Sequence, residues 1–229
     1  MKKYLASLAI LFCAAVLVPA ACADQFQVYG PPAHNQFVAG AGLQMTSDNA
    51  IPGDYAGMEY QITSGLTVND LTNLSADYTW QQGTFAGGSP RFTLFDQSFH
   101  AAYVYWGTPG GGCSMGGVPP VNTPATTGNY VGDAGLRVAS NGFGGDNNPN
   151  TCVSWSSFAS LVGGTQLSFI TLDLDAGFAG TQQMTLQSFT VNNDTFDAVA
   201  ASVPEPGSLA LFGSGLLGLA GTIRRRRRK

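Results

Sequence analysis

Apolar and polar residues alternate in short runs along most of the chain. In the clearest run, Met58, Tyr60 and Ile62 alternate with polar residues, as in a strand with one buried and one wet face. Similar runs predict further strands at 25–29, 43–47, 76–80, 91–95, 99–106, 136–139, 167–173 and 183–191. Gly, Pro or Asn clusters separate most of these runs, which is typical of an all-β protein.

Two segments depart from simple alternation. In the last run, Met184 and Leu186 fall on one face, whereas Phe189 and Val191 fall on the other, and a β-bulge accounts for such a slip. Residues 154–162 have helical spacing instead and predict a short helix. We therefore expect an antiparallel two-sheet β-sandwich of the jelly-roll or lectin-like type.

Charge is distributed unevenly along the 229 residues. Basic residues cluster at both ends, and residues 24 to 203 contain only Arg91 and Arg137 as bases. Of the 14 acidic residues all but Glu205 lie in this part, which gives it a net charge of −11. Binding of nucleic acid requires a basic face, so this class of partner is excluded.

Residues 1–23 have the pattern of a secretory signal peptide. Lys2 and Lys3 precede an apolar stretch at 5–18, and Ala21-Cys22-Ala23 supplies the small residues of a cleavage site. The pattern predicts export through the Sec translocon and removal by signal peptidase. The alternative is a lipoprotein acylated on Cys22.

Three features follow one another at the C-terminus. A linker at 201–206 carries a Pro-Glu-Pro motif, 207–223 is uncharged, and 224–229 is basic. The motif consists of Val203, Pro204, Glu205 and Pro206, and the basic tail contains Arg224, Arg225, Arg226, Arg227 and Arg228. As a helix, the uncharged segment spans roughly 25 Å, near the lower limit for crossing a bilayer. The positive-inside rule leaves the tail in the cytoplasm and residues 24–200 outside.

Together these features resemble the PEP-CTERM sorting signal over the last 27 residues. Proteins with this signal are exported by Gram-negative bacteria that make extracellular polysaccharide, and the inner-membrane enzyme exosortase processes them near Pro-Glu-Pro. The resemblance implies an exosortase substrate that is anchored in the inner membrane transiently and then reaches the cell surface or the extracellular space. The alternative is an ordinary tail anchor behind a Pro-rich linker.

Cys113 and Cys152 are the cysteines that remain after removal of the signal peptide. In an oxidising compartment we expect them to form a disulfide, and binding of a metal by the two thiols is the weaker alternative. The bond would close a loop rich in Gly, Pro and Asn, and would contribute about 4 kcal/mol in the chain-entropy model.

No catalytic set emerges from the sequence, which predicts a protein without enzymatic activity. Residues 112–116 match the G-x-S-x-G pattern, but the surrounding Gly and Pro residues do not begin the helix that this motif requires. His34 and His100 have no ligands at metal-binding spacing around them, and Glu59 is the only glutamate of the exported domain.

Binding chemistry is better represented in the exported domain. Aromatic rings stack on sugars, although most large aromatic residues fill cores, and the stacking candidates are Trp80, Tyr103, Tyr105 and Trp106. Asp173 and Asp175 point the same way on a predicted strand and precede a loop, which suits a structural Ca²⁺; solvated acidic residues are the alternative. No other cofactor is predicted.

The function that these expectations favour is that of an exported β-sandwich of the cell surface or of an exopolysaccharide or biofilm matrix, which interacts with polysaccharide or with other envelope components. Two alternatives stay open, namely an aspartate-dependent glycan-processing enzyme and a purely structural matrix protein.

Overall fold

Alternation of apolar and polar residues produces two antiparallel sheets. The structure is a computed structural model that describes residues 25–48, 54–83, 89–106, 108–109, 115–116, 119–132, 137–145, 153–175 and 180–201. In chain order, the strands of these residues are β1 (Phe26–Tyr29), β2 (Asn35–Val38), β3 (Gly42–Asp48), β4 (Tyr55–Gln61), β5 (Leu74–Gln82), β6 (Arg91–Asp96), β7 (Ala101–Tyr105), β8 (Thr108–Pro109), β9 (Met115–Gly116), β10 (Pro124–Thr126), β11 (Arg137–Asn141), β12 (Leu167–Asp175), β13 (Thr181–Val191) and β14 (Asp194–Asp197).

The strands are divided between two large sheets and one small hairpin. Sheet A has the order β1-β4-β12-β6-β7-β11, and sheet B has the order β10-β5-β13-β3-β2 with β14 paired to β13. All these pairs are antiparallel, and β8 pairs with β9 apart from both sheets. The predicted antiparallel two-sheet fold is confirmed, and a β-sandwich describes it.

One hydrophobic core joins the inner faces of the two sheets. Phe92 of sheet A stacks on Phe189 of sheet B with 5.5 Å between the ring centroids. Trp106 lies 5.0 Å from Phe92 and 5.0 Å from Tyr78 of sheet B, so aromatic rings connect the sheets at their centre. Aromatic pairs at such separations stabilise the core beyond the contribution of buried apolar area, and they favour the strand face that points inward.

The bulge predicted in β13 is confirmed. The register between β13 and β5 shifts between Leu186 and Ser188, which inserts one residue into the ladder. As a result Met184 and Leu186 before the shift, and Phe189 and Val191 after it, are all fully buried in the core. The bulge therefore returns to the core two residues that strict alternation would expose.

The predicted helix is also confirmed, as α1 (Trp155–Val162). Ser154 caps its N-terminus, because the Ser154 side chain accepts a hydrogen bond from the backbone N–H of Ser157 at 3.3 Å. Trp155, Phe158 and Val162 form its buried face. A second helix, α2 (Ala198–Ala201), follows β14. In the described part of the chain, no helix has the length and apolar character needed to cross a bilayer.

Some predicted features lie outside the described residues and stay predictions. They are the signal peptide at 1–23, the span at 207–223 with its basic tail, and the disulfide between Cys113 and Cys152.

Candidate functional site

The outer face of sheet A carries a row of paired residues that crosses five strands. Adjacent members are partners in the strand register, and in order they are Tyr29, Gly57, Asp173, Arg91 and Tyr105. The next row on the same face brings Glu59, Thr171, Thr93 and Tyr103 side by side. Residues far apart in sequence therefore become neighbours on one sheet face.

These two rows form the floor of an open cleft of about 390 Å³, which we name the sheet A cleft. Its lining combines aromatic, hydroxyl and charged side chains, namely Tyr29, Asp54, Tyr55, Glu59, Arg91, Thr93, Phe95, Tyr103, Phe169, Thr171, Asp173 and Asp175. A cleft that joins apolar surface to a few placed polar groups is the usual form of a ligand site.

Arg91 and two aspartates form the polar centre of the cleft. Arg91 Nη2 lies 3.0 Å from Asp175 Oδ2, and Arg91 Nε lies 3.5 Å from Asp173 Oδ2. The Asp173 side chain is only 11% exposed, whereas that of Asp175 is 40% exposed. The guanidinium group thus links one buried and one solvated carboxyl group.

Asp173 is the carboxyl group most affected by its surroundings. Burial, and then the neighbouring Asp175 carboxylate, raise the pKa of Asp173 well above its usual range. The Thr93 hydroxyl group donates a hydrogen bond to Asp173 Oδ2. A carboxyl group with a raised pKa keeps its proton to a higher pH than an ordinary aspartate does, and in that form it can donate a hydrogen bond.

The backbone beneath this centre is held by a buried serine. Ser89 Oγ accepts a hydrogen bond from the Asp175 backbone N–H at 2.9 Å and donates one to Gln182 Oε1 at 2.7 Å. Ser89 and Gln182 are each 1% exposed. This chain of hydrogen bonds ties the end of β12, and hence Asp175, to the start of β13.

Aromatic rings lie on both sides of the polar centre. Tyr29 and Tyr55 have ring centroids 5.6 Å apart on the β1–β4 side, and Tyr103 and Tyr105 stack at 6.3 Å on β7. The Tyr29 ring occupies the space above Gly57, where any Cβ atom would overlap it.

The second tyrosine pair contacts the polar centre directly. The Arg91 guanidinium carbon lies 5.3 Å from the centre of the Tyr103 ring, within the range of a cation–π interaction. Burial raises the pKa of Tyr105, and the Arg91 charge opposes that rise. Tyr105 therefore keeps its hydroxyl proton and remains a hydrogen-bond donor at neutral pH.

Glu59 adds another acidic group to the cleft. Its Oε1 accepts a hydrogen bond from Gln27 Nε2 at 3.0 Å and another from Gln61 Nε2. Asp54 contributes a further carboxylate, and its Oδ1 lies 2.6 Å from His34 Nδ1. With one arginine among these carboxyl groups, the described lining of the cleft is acidic, which disfavours anionic ligands.

The structure separates the four predicted stacking residues into two groups. Tyr103 and Tyr105 lie on the outer face of sheet A, where a ligand has access. The prediction is wrong for Trp80 and Trp106, because they are 0% and 1% exposed and lie in the core between the sheets. Trp80 donates its indole N–H to the Gly83 carbonyl oxygen at 3.3 Å, and its complete burial leaves neither ring face open to a sugar.

The predicted calcium ligands Asp173 and Asp175 do share one face of β12, and both contact Arg91. No group of three or more His, Cys, Asp and Glu side chains suited to a metal forms within the described residues. The loop 176–179 that was expected to supply carbonyl ligands lies outside them, so the calcium site stays a prediction. His100, like His34, pairs with an aspartate, since its Nδ1 lies 3.2 Å from Asp96 Oδ2.

Several residues of the cleft were not singled out by the sequence. Tyr29 and Glu59 each sit on the wet face of a predicted strand, where alternation was the available signal, whereas Tyr55 precedes the run that was predicted as a strand. The pairing of Arg91 with Asp173 and Asp175 had no signal, since it depends on β6 lying beside β12, some 80 residues away.

The comparisons with known proteins concern mainly the C-terminus. Residues 202–228 match the family model described as the PEP-CTERM protein-sorting motif, which confirms the sorting signal predicted there. No curated protein matches the chain. A similar solved structure is the xyloglucanase domain of NopAA, a type three effector from Sinorhizobium fredii, in complex with cellobiose. It is 16% identical with a TM-score of 0.34, over 74% of this chain and 94% of that one, and at this TM-score nothing further follows.

The fold and the cleft define a two-sheet antiparallel β protein with a potential ligand site on one sheet face. The PEP-CTERM motif at residues 202–228 implies an exported protein that exosortase processes and sorts to the cell surface.

Proposed function

We propose that this exported protein binds a glycan in the sheet A cleft, at the cell surface or in the extracellular matrix, without cleaving it. The observation that carries the proposal is the presence of tyrosine rings on both sides of a hydrogen-bonding centre of Arg91, Asp173 and Asp175. Sugars present apolar ring faces and many hydroxyl groups, and this lining offers a partner for each.

The outer face of sheet B provides a contrast within the same molecule. On its central strands, side-chain amide and hydroxyl groups bond to each other, as Gln187 does to Thr79 at 2.9 Å and Thr185 does to Gln81 at 3.1 Å. Gln187 Oε1 has no hydrogen-bond partner among the described residues, and the outward positions of these described strands carry no aromatic ring. The outward face of these central strands therefore lacks the aromatic surface that the sheet A cleft offers to a sugar.

Export supports an extracellular glycan as the ligand class. Proteins with the PEP-CTERM signal are exported by bacteria that make extracellular polysaccharide, so a sorted protein would meet such a polymer outside the cell. We infer that membrane attachment through residues 207–223 precedes processing, and that the mature domain then associates with the polymer.

The test is retention of the exported protein by the exopolysaccharide of its own cells, measured in a native gel that contains the polymer. We expect retardation of the wild-type protein and its loss in Tyr103→Ala. A Leu161→Ala variant is the control, because Leu161 is 69% exposed on α1 and does not line the cleft. Equal migration of wild-type and Tyr103→Ala proteins would refute the proposal.

A second function is favoured by one observation. Asp173, with its raised pKa, lies in the same cleft as the carboxyl groups of Asp175 and Glu59. A protonated and an ionised carboxyl group are the pair that glycoside hydrolysis uses, as acid and as base or nucleophile. Release of reducing ends from the polymer by the wild-type protein, abolished in Asp173→Asn, would establish this activity in place of simple binding.

A further inference from the structure

The positions of the tyrosine pairs in the sheet A cleft indicate the direction in which a ligand chain runs, which the proposed function does not specify. The tyrosine pair Tyr29–Tyr55 belongs to β1 and β4, and the pair Tyr103–Tyr105 belongs to β7. From β1 to β7 the sheet order passes through β4, β12 and β6, which are four steps between strands. Four steps of about 4.8 Å place the outer strands roughly 19 Å apart. One sugar ring cannot reach both pairs, whereas a chain of several rings can.

The surface between the two pairs is polar and sits in the same rows. Asp173 and Arg91 occupy the row that contains Tyr29 and Tyr105. Thr171 lies in the neighbouring row, is 4% exposed and lines the cleft, and its Oγ1 has no hydrogen-bond partner within the described residues. Buried hydroxyl groups nearly always have a partner, so a ligand hydroxyl or an ordered water is expected there.

The charge of the cleft selects among glycans. Arg91 already contacts two carboxyl groups, and the other ionisable groups among the described lining residues are acids or tyrosines. A uronate or sulfate group would meet Asp54, Glu59 and Asp175, and Arg91 is the one arginine among the described lining residues. Neutral hydroxyl groups, in contrast, can both donate to these carboxylates and accept from the Arg91 guanidinium.

We propose, on the basis of the proposed function, that the sheet A cleft takes an uncharged polysaccharide whose chain runs across the strands. The chain contacts the Tyr29–Tyr55 pair at one end and the Tyr103–Tyr105 pair at the other. Between them its hydroxyl groups bond to the side chains of Thr171, Asp173, Asp175 and Arg91. A chain that ran parallel to the strands would contact only one of the two tyrosine pairs.

The experiment has two stages and uses the exported protein. Native gels that contain single polymers first establish the class, with β-glucan, xylan, galactomannan and dextran as uncharged probes, polygalacturonate and alginate as anionic probes, and chitosan as a cationic probe. We expect retention by at least one uncharged polymer and by none of the anionic ones. Fragments of the retained polymer, sorted by length, are then titrated calorimetrically into the wild-type protein and its variants.

Two alanine variants at opposite ends of the cleft test the direction. For long fragments we expect Tyr55→Ala and Tyr103→Ala each to raise Kd about five- to tenfold, the scale of one lost aromatic contact. For the shortest fragments that bind, only one variant should matter. Tyr55→Phe and Tyr103→Phe keep the rings and should keep Kd within about twofold of wild type, and both alanine variants should still unfold in urea in a single cooperative transition.

The outcomes distinguish failure of this inference from failure of the proposed glycan binding. Preference for an anionic or cationic polymer, or loss of long-fragment affinity in only one of the two alanine variants, would overturn the inference and leave glycan binding intact. Failure of every probe and of the cells' own exopolysaccharide to retain the protein would overturn both.

Discussion

Replacing Arg91 by methionine tests the electrostatics of the sheet A cleft. Methionine keeps an unbranched apolar side chain but removes the guanidinium group from Asp173 and Asp175. The contact with Asp175, which is 40% exposed, is screened by solvent and contributes less than about 1 kcal/mol. The cation–π contact with Tyr103 contributes about 0.5–1 kcal/mol. These two losses together destabilise the protein by about 1–2 kcal/mol at any pH.

The contribution of Asp173 depends on pH. Its folded-state pKa is raised, so its proton favours the folded state below the ordinary aspartate pKa, and that contribution is lost as pH rises through the folded-state pKa. Without Arg91 this pKa rises further, and the ionised form becomes an uncompensated buried charge. Breaking a buried pair costs about 3–5 kcal/mol, and the long 3.5 Å contact here points to the lower end. We expect Arg91→Met to lower the free energy of unfolding by about 1–2 kcal/mol near pH 5 and by about 3 kcal/mol more than that near pH 9.

Urea unfolding measures both values, because the buried Trp80, Trp106 and Trp155 report on the core by fluorescence. Arg91→Met combined with Asp173→Asn is the matched control, since the neutral amide should remove the pH-dependent part of the loss. An equal loss of unfolding free energy at both pH values, or a pH dependence that persists in the double variant, would refute this explanation of how Arg91 compensates the Asp173 charge.

The remaining predictions concern the core, the Tyr29 ring in the sheet A cleft and a turn, and urea unfolding measures the stability of each variant. Phe92→Ala should lower the free energy of unfolding by about 3–5 kcal/mol, because Phe92 is fully buried between the sheets. Phe99→Ala, at a 70% exposed position, should lower it by less than about 0.5 kcal/mol. Similar losses in the two variants would contradict the assignment of Phe92 to the core. Gly57→Ala should displace the Tyr29 ring, cost about 1–3 kcal/mol and weaken glycan retention, and unchanged retention would count against that ring as part of the site. Asn192→Ala should cost about 2 kcal/mol, because Asn192 has a φ of 55° and hydrogen-bonds through its side chain to the turn before β5, and Asn192→Gly should restore part of the loss.

The strands that alternation predicts correctly are those with one face in the core. Strand β4 shows this clearly, with Met58 and Tyr60 buried and Glu59 on the wet face. The short edge strands β2, β10 and β14 were not predicted, because edge strands bury little and show no clear alternation. The strand predicted from residue 99 begins at Ala101, since Phe99 adopts a φ of 63° in the tight turn after β6.

The candidate site was less predictable than the fold, for a physical reason. Alternation already places Trp106 on the opposite face from Tyr103 and Tyr105, but it does not say which face is the core. The contacts of Arg91 with Asp173 and Asp175 depend on strand order, and local sequence does not determine which strands become neighbours. The sorting motif is the opposite case, because its parts are contiguous in the chain and can be read from local sequence alone.

The most direct measurement of the central claim is amide hydrogen exchange on the exported protein with and without the retained polysaccharide. We predict added protection in β4, β6, β7 and β12, whose outward side chains line the sheet A cleft, and none in β3, β5 or β13. Protection confined to sheet B, or exchange unchanged by a polymer that retains the protein, would contradict the assignment of the binding site to sheet A.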